Sequence, residues 1–418
     1  MTMPTMTGAD RFQFFLDKDG RKNTGIGNTI KTHIVLKGVL TREQISGVIK
    51  NNKAIEFLSS LSAKRKLYSF QFFWKQGTRP GLENIFSYEV SKSAQVLIDK
   101  ALTYDCNPER GSPILVDVIA DIELKLTHIT LSVNHSLLDY AGMELLLKSF
   151  SEDSDSLILH MPPQKPFSLF KRFVQTIQAT AFVAKRSGWN IQRLEKTSVN
   201  YKPVFTELSI SNQELRSESV SSRSIGIPRY LACSIHALCK SSKIFKNHQL
   251  PVFVPVPLNR RTEKYNRVLL SNRFSFLFFR INTNEFSNVK SLERAFLQQM
   301  ILQAQQKIPE KFDSLLSVFS LLPNSIYRAF LNLPSKGHSS TFAFSNLPVS
   351  VLDGSTFLGM KIIDFTHYPP FLSPPGLNLA IIEMKDGIKL VSCYDSTRLT
   401  TDDANLLLQD IKSNLISS

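Results

Sequence analysis

The stretch LSVNHSLLDYAGMELLLKSF, residues 131–150, carries the residue types best suited to chemistry. His135 stands just past a run of β-branched residues. Asp139 follows four positions later, ahead of Tyr140, Ala141 and Gly142, where helical spacing begins. A strand end is a rigid mount, from which an imidazole can project into a cleft while the Asp turns back to orient the loop. Histidine has the unperturbed pKa nearest working pH, so it can take the proton from an alcohol or amine as that group attacks a thioester. A thioester would already be activated, so that no covalent acyl-enzyme would be required. Neither a Gly-x-Ser-x-Gly elbow nor a convincing Cys nucleophile is present. Taken alone, H-x-x-x-D is far better explained by a strand end at His135 and a helix cap at Asp139. The context changes those odds.

Periodicity identifies the elements that must hold the loop. NTIKTHIVLKGVL (28–40) is predicted as a strand and TREQISGVIKNN (41–52) as a Thr-capped helix. LYSFQFFWKQ (67–76) is the next strand candidate. ILVDVIAD (114–121) and THITLSVNHS (127–136) are close enough to pair as a hairpin, and YAGMELLLKSFSED (140–153) is predicted as a helix. MPPQKP (161–166) then breaks the chain, and the segment beyond is basic and partly helical. In it, Phe170, Phe173, Val174, Ile177 and Ala181 share one helical face, with Lys171, Arg172, Lys185 and Arg186 in the same segment. Packing across two domains is the expected role of this face; contact with a membrane is the alternative.

In the second half, GIPRYLACSIHALCKSSKIF (226–245) is predicted as a helix buried on its Leu231, Ile235 and Leu238 side. VFVPVPLNRR (252–261) and LLSNRFSFLFFRINT (269–283) precede a long helix at 286–308. STFAFSNLPVS (340–350), MKIIDFTHY (360–368), LNLAIIEMKDG (377–387) and IKLVSCYDS (388–396) are short strands, with KDG as a hairpin turn and a capped helix at 400–415. Each half is a mixed α/β arrangement. The expected division is an N-terminal lobe at 1–165 with the His135 loop, a basic helical crossover at 166–203 and a C-terminal lobe at 204–418. Two similar lobes leave a groove, a common place for a site.

A chain of 418 residues suits two domains of about 200 residues each. With 42% hydrophobic and 20% charged residues, disorder at scale is not expected; 30 Phe against 2 Trp suggests cores or a tunnel lined with aromatic surface. The residues MTMPTMTGADRFQFF show no export signal, and no run of about 18 uncharged apolar residues suggests a transmembrane helix. Cys106, Cys233, Cys239 and Cys393 are scattered, which fits a reducing cytoplasm. A formal charge of +15 suits a phosphate-bearing acyl carrier or a membrane surface. Nucleic acid is not expected, because zinc-finger spacing, RNP-like segments and interleaved Arg and aromatic residues are all missing. His33, His128 and His236 take ordinary structural roles. No His pair has metal-ligand spacing backed by a carboxylate, so no metal is expected, and GIGN (25–28) lacks the context of a dinucleotide site.

NHSLLDYAG resembles the HHxxxDG loop of the chloramphenicol-acetyltransferase-like superfamily. That superfamily includes peptide-synthetase condensation domains, polyketide-associated acyltransferases, plant HxxxD acyltransferases and bacterial wax ester synthase/diacylglycerol acyltransferases. Three further stretches are most similar to the last group: GADRFQFFLDKDG at the start, VPVPLNRR with LLSNRFSFLFFRI, and FAFSNLPVS with LGMKIIDF and LNLAIIEMKDGIKLVSCYDSTRL. No DFGWG-like element occurs, which argues against the plant branch. The resemblance spans nearly the whole chain and implies two lobes, each a mixed sheet with flanking helices, with a central tunnel between them. It also implies an acyltransferase that moves an acyl group from acyl-CoA or an acyl carrier protein to a hydroxyl or amine. Coenzyme A or phosphopantetheine would then arrive as part of the donor, with no bound cofactor.

His135 matches the loop's second His, the family's base. Asn134 replaces the first His and is counted among the substrate-binding candidates; Tyr140 replaces the family Gly, with Gly142 nearby. Asp139 matches the structural Asp, whose family partner is an Arg, here Arg260 or Arg261. Ser345 and Asn346 fall where the family brings a second-lobe strand near the histidine, to bind the oxyanion or position the acceptor; Asn272 has a weaker claim. The departures at Asn134 and Tyr140 keep open a degenerate condensation-like module that binds a carrier protein or lipid without catalysis. The basic helix after Pro166 keeps open a peripheral membrane lipid binder.

Overall fold

A computed structural model describes residues 5–66, 70–150, 157–161, 169–187, 192–194, 201–216, 226–241, 250–282, 288–332 and 340–417. Most of the MPPQKP break, residues 67–69 of one expected strand, and parts of the expected crossover (166–168, 188–191 and 195–200) lie outside the described residues.

The elements of the first half are α1 (Gly8–Thr24), β1 (Thr29–Lys37), α2 (Arg42–Asn51), α3 (Lys53–Ser59), β2 (Leu61–Arg65), β3 (Phe72–Gln76), β4 (Phe86–Ser91), α4 (Gln95–Thr103), β5 (Ile114–Asp121), β6 (Leu126–Asn134) and α5 (Tyr140–Lys148). There follow α6 (Leu169–Ser187), β7 (Pro203–Ser211), α7 (Asn212–Arg216), α8 (Ile227–Lys240), β8 (Val252–Asn259), β9 (Phe274–Ile281), α9 (Val289–Gln305), α10 (Ile308–Phe319) and α11 (Asn324–Asn332). The chain closes with β10 (Ala343–Leu347), β11 (Thr356–Phe357), β12 (Met360–Tyr368), β13 (Leu377–Met384), β14 (Gly387–Asp395) and α12 (Thr401–Ser417).

These elements form two compact units. One comprises residues 1–166, 260–273 and 349–370, and the other 167–259, 274–348 and 371–418. Two segments expected in the C-terminal lobe, 260–273 and 349–370, thus pack in the first unit.

The first unit is built on a six-stranded sheet of order β11-β12-β1-β6-β5-β4. The β5–β6 hairpin forms as the alternating pattern predicts, and β4 joins β5 in parallel after the α4 crossover. β12 lies beside β1, with Phe365 opposite Ile34 and Ile34 opposite Ile129, so it extends an apolar row that is already buried. On the other face, His33 Nε2 and His128 Nδ1 meet at 3.2 Å. The first helix, α1, begins on a capping box in which Thr7 Oγ1 accepts from the Asp10 backbone N–H and the Asp10 carboxylate accepts from that of Thr7.

The second unit holds a four-stranded sheet of order β10-β13-β14-β7 and the β8–β9 pair. Leu231, Ile235 and Leu238 on α8, Phe296 on α9, Leu379 and Ile381 on β13 and Leu408 on α12 share its core. His236 takes a structural role, its Nδ1 lying 3.2 Å from Asn414 Oδ1. α6 packs on α10, turning Thr176 and Ala179 inward and accepting a hydrogen bond from Ser314 Oγ at Gln175 Oε1, 2.7 Å away. On its outward side Phe170, Phe173, Val174 and Ile177 are exposed. Small inward side chains let the helix seat closely on its other side.

Candidate active site

Every residue from Asn134 to Asp139 is buried except His135, which is partly exposed where β6 ends. Its backbone N–H donates to Asn28 O at 2.8 Å, continuing the sheet's bonding by one residue and fixing the ring's mount. The ring's Nδ1 lies 2.8 Å from Leu138 O. A carbonyl only accepts, so Nδ1 carries the proton and Nε2 presents its lone pair. Burial holds the His135 pKa below that of an ordinary histidine, against the opposing pull of the Leu138 carbonyl and the Asp139 charge. The neutral, base-competent imidazole is therefore the form favoured at neutral pH.

The group facing Nε2 comes from α1. Gln13 Nε2 lies 3.3 Å from His135 Nε2, while Gln13 Oε1 accepts from Asn28 Nδ2 at 2.7 Å. The Asn28 contact sets the amide's orientation, so Gln13 donates to the histidine lone pair. Asp10, Gln13 and Asp17 form a buried polar stripe on this helix. Asp17 accepts from Asn28 N at 2.8 Å and from Asn134 Nδ2 at 2.7 Å, and Arg21 bridges Asp17 and Asp105. A side chain at Gly27 would collide with both: its Cβ would lie 2.2 Å from Arg21 Nη2 and 2.4 Å from Asp17 Oδ1. Burial raises the Asp10 pKa to about 6 despite hydrogen bonds from Thr7 and Asn272. None of these three polar residues was singled out from the sequence, although their i, i+3, i+7 spacing on a capped helix is a readable signal.

Asn134, expected to face substrate, is fully buried and spent on the protein. Its Nδ2 donates to Asp17 and to Cys106 O at 2.8 Å, and its Oδ1 accepts from Ser136 N and Ser136 Oγ. It holds the loop.

Asp139 does not touch the histidine ring. It caps α5 through Gly142 N at 2.8 Å and forms a bidentate pair with Arg261, Nη2 to Oδ1 at 2.7 Å and Nε to Oδ2 at 3.3 Å. Arg273 N adds a fourth donor at 2.9 Å. Of the two candidate partners, Arg261 is the one that reaches Asp139; Arg260 instead bonds Arg273 O through its backbone. Arg261 also donates to Tyr265 O, Val268 O and Ser271 O, so one guanidinium ties the 260–273 strap to the loop. Gly142 makes room for it, since a Cβ there would stand 3.2 Å from Arg261 Nη2. Asn272, underrated in the sequence, donates to His135 O and Ser136 O at 3.0 and 2.8 Å.

The remaining two candidates belong to the second unit. Ser345 and Asn346 sit on β10, parallel to β13, and Asn346 Nδ2 donates to Glu383 Oε1 at 3.1 Å. Among the described residues, no group of three or more His, Cys, Asp or Glu side chains is placed to hold a metal ion.

No known family profile and no curated protein matches this chain. Solved structures do. A mutant starter condensation domain of rhizomide synthetase, in complex with C8-CoA and Leu-SNAC, matches with a TM-score of 0.67 at 14% identity, covering 99% of this chain and 94% of that one. The first condensation domain of the calcium-dependent antibiotic synthetase, bound to a substrate analogue, matches at 0.69 and 11% identity, covering 99% and 96%. Trichothecene 15-O-acetyltransferase from Fusarium sporotrichioides matches at 0.68 and 12% identity, covering 99% and 94%. These likenesses establish the fold, a pair of chloramphenicol-acetyltransferase-like lobes of mixed sheet and flanking helices.

Proposed function

We propose that this chain is an acyltransferase that moves an acyl group from a thioester to a hydroxyl or amine, with His135 as general base. The observation that carries the proposal is the locked tautomer at His135: Nδ1–H held by Leu138 O, Nε2 presenting a lone pair, and burial favouring the neutral ring. The acceptor's O–H or N–H takes up the hydrogen-bonding position that Gln13 Nε2 fills at Nε2. As the acceptor attacks the thioester carbonyl, Nε2 takes its proton. Collapse of the tetrahedral adduct breaks the C–S bond, and the imidazolium returns the proton to the departing thiolate. Products are an ester or amide and a free thiol. Asp139 acts on loop geometry, since its four bonds go to Arg261, Gly142 and Arg273. Ser345 is the second unit's candidate oxyanion donor; Asn346 gives an N–H to Glu383 instead.

A coenzyme A or phosphopantetheine thioester is the proposed donor. Structural neighbours crystallised with C8-CoA support it, and a net charge of +15 favours a phosphate-bearing ligand or an acidic carrier protein. The test is thiol release from a panel of acyl-CoA and carrier-linked donors with alcohol and amine acceptors, using the native chain and His135→Ala at equal folded concentration. Acceptor-dependent release that the substitution abolishes is the expected result. Equal turnover by both proteins rejects His135 as base; no turnover with any donor favours a carrier- or lipid-binding module.

A further inference from the structure

Helix α6, Leu169–Ser187, is amphipathic in the inverted sense. Its inward side is Thr176 and Ala179, both buried against the rest of its unit. Its outward side is Phe170 at 78% exposure, Phe173 at 58%, Ile177 at 54% and Val174 at 37%. At 100° per residue these four fall within one arc that Ala181 continues, a stripe roughly 17 Å long from Phe170 to Ala181. A soluble surface scatters its exposed large apolar residues; two phenylalanines and an isoleucine aligned on one outward face mark a contact.

Charge identifies the partner. The helix contains no Asp or Glu, and the exposed Lys171 and Lys185 border the stripe on one side. Neighbouring α10 adds Lys311 and is preceded by Lys307, against Glu310 and Asp313. We propose that α6 docks this chain on an anionic lipid surface, with Phe170, Phe173, Val174 and Ile177 entering the headgroup–acyl boundary and Lys171 and Lys185 meeting lipid phosphates. The stripe faces outward from its helix, which suits a deformable, anionic apolar boundary. A second copy of the chain would bring another basic face against this one. None of the described helices is long and apolar enough to cross a membrane, so the contact lies in the interface plane.

The experiment is flotation of the full chain with phosphatidylcholine vesicles, with and without phosphatidylglycerol. Binding is expected only with the anionic lipid, weakening from 0.1 to 1 M salt as the Debye length contracts from about 10 to about 3 Å. Phe170→Ser/Phe173→Ser should reduce partitioning by about tenfold or more with an unchanged circular dichroism melt, because both side chains are already in solvent. Lys171→Glu/Lys185→Glu should remove the preference for phosphatidylglycerol. Equal flotation on both vesicle types overturns the anionic surface, and an unaffected phenylalanine variant overturns the stripe. Without flotation, a native dimer that this variant makes monomeric assigns the face to a second copy, and a monomer rejects the lipid surface in favour of a protein partner.

Discussion

Arg261→Ala removes the guanidinium from a carboxylate that has little access to water. The Arg261 side chain is 2% exposed and that of Asp139 11%, so solvent does not take over the lost interaction. Asp139 keeps only two backbone donors, the carbonyls of Val268 and Ser271 lose the Arg261 N–H, and that of Tyr265 retains only the Val268 N–H. Breaking a buried pair by deleting one partner costs about 3–5 kcal/mol. For a unit of this size that lowers the melting temperature by roughly 6–20 °C. The loop is displaced as well, and a misplacement of about 1 Å at a base costs on the order of 100-fold in turnover. The revealing control is Asp139→Leu/Arg261→Met, which leaves no buried charge. It should recover the share of the stability lost to the unpaired charge, though not the bonds to the Val268 and Ser271 carbonyls or from the Gly142 and Arg273 N–H groups, and remain poorly active because the strap no longer grips the loop. Calorimetry and thiol release report the two effects separately. A single variant that melts within about 2 °C of the native chain and turns over normally would refute the clamp.

The remaining predictions concern protons. Activity should rise with pH through an acid limb whose midpoint lies below the ordinary histidine value of 6.5, because burial lowers the His135 pKa and the neutral ring is the active form; a limb above that value in kcat/KM against pH contradicts the assignment. Gln13→Glu should move that limb upward by placing a carboxylate beside Nε2, whose contact with Gln13 is 3.3 Å; identical profiles would show that the contact does not persist in solution. Asp10 titrates near 6 rather than 3.8, so its folded form prefers the proton. Its contribution to stability is fully present below 3.8 and is lost as pH rises through 6, so Asp10→Asn should gain resistance to urea relative to the native chain between those values. A urea-midpoint difference that is constant with pH counts against this.

His135 and Asp139 were legible because a strand end, a four-residue step and a helix start are local features that periodicity exposes. The two lobes and the β5–β6 hairpin were legible for the same reason. Arg261 was readable only as one of a pair: adjacent side chains diverge, and which one reaches a carboxylate 122 positions away is decided by tertiary packing. The buried partners of Asn134, Asp17 and Ser136, were not legible because its type suits both solvent and interior. Period also placed Phe170 and Ile177 on one face of α6, but a periodic stripe does not say which way it turns. Thr176 and Ala179, small enough for close seating, decided that.

The strap has a consequence for synthesis. The histidine, its strand and α1 leave the ribosome long before Arg261 and Asn272, whose bonds to the loop span 122 and 137 positions. Closing a loop of that length costs about 4 kcal/mol in chain entropy, so the grip forms only once the surrounding unit can offset it. Until β12 arrives, β1 also presents an unpaired edge. A chain interrupted before residue 260 would carry the base and its local hydrogen bonds without the Arg261 and Asn272 contacts that hold the loop.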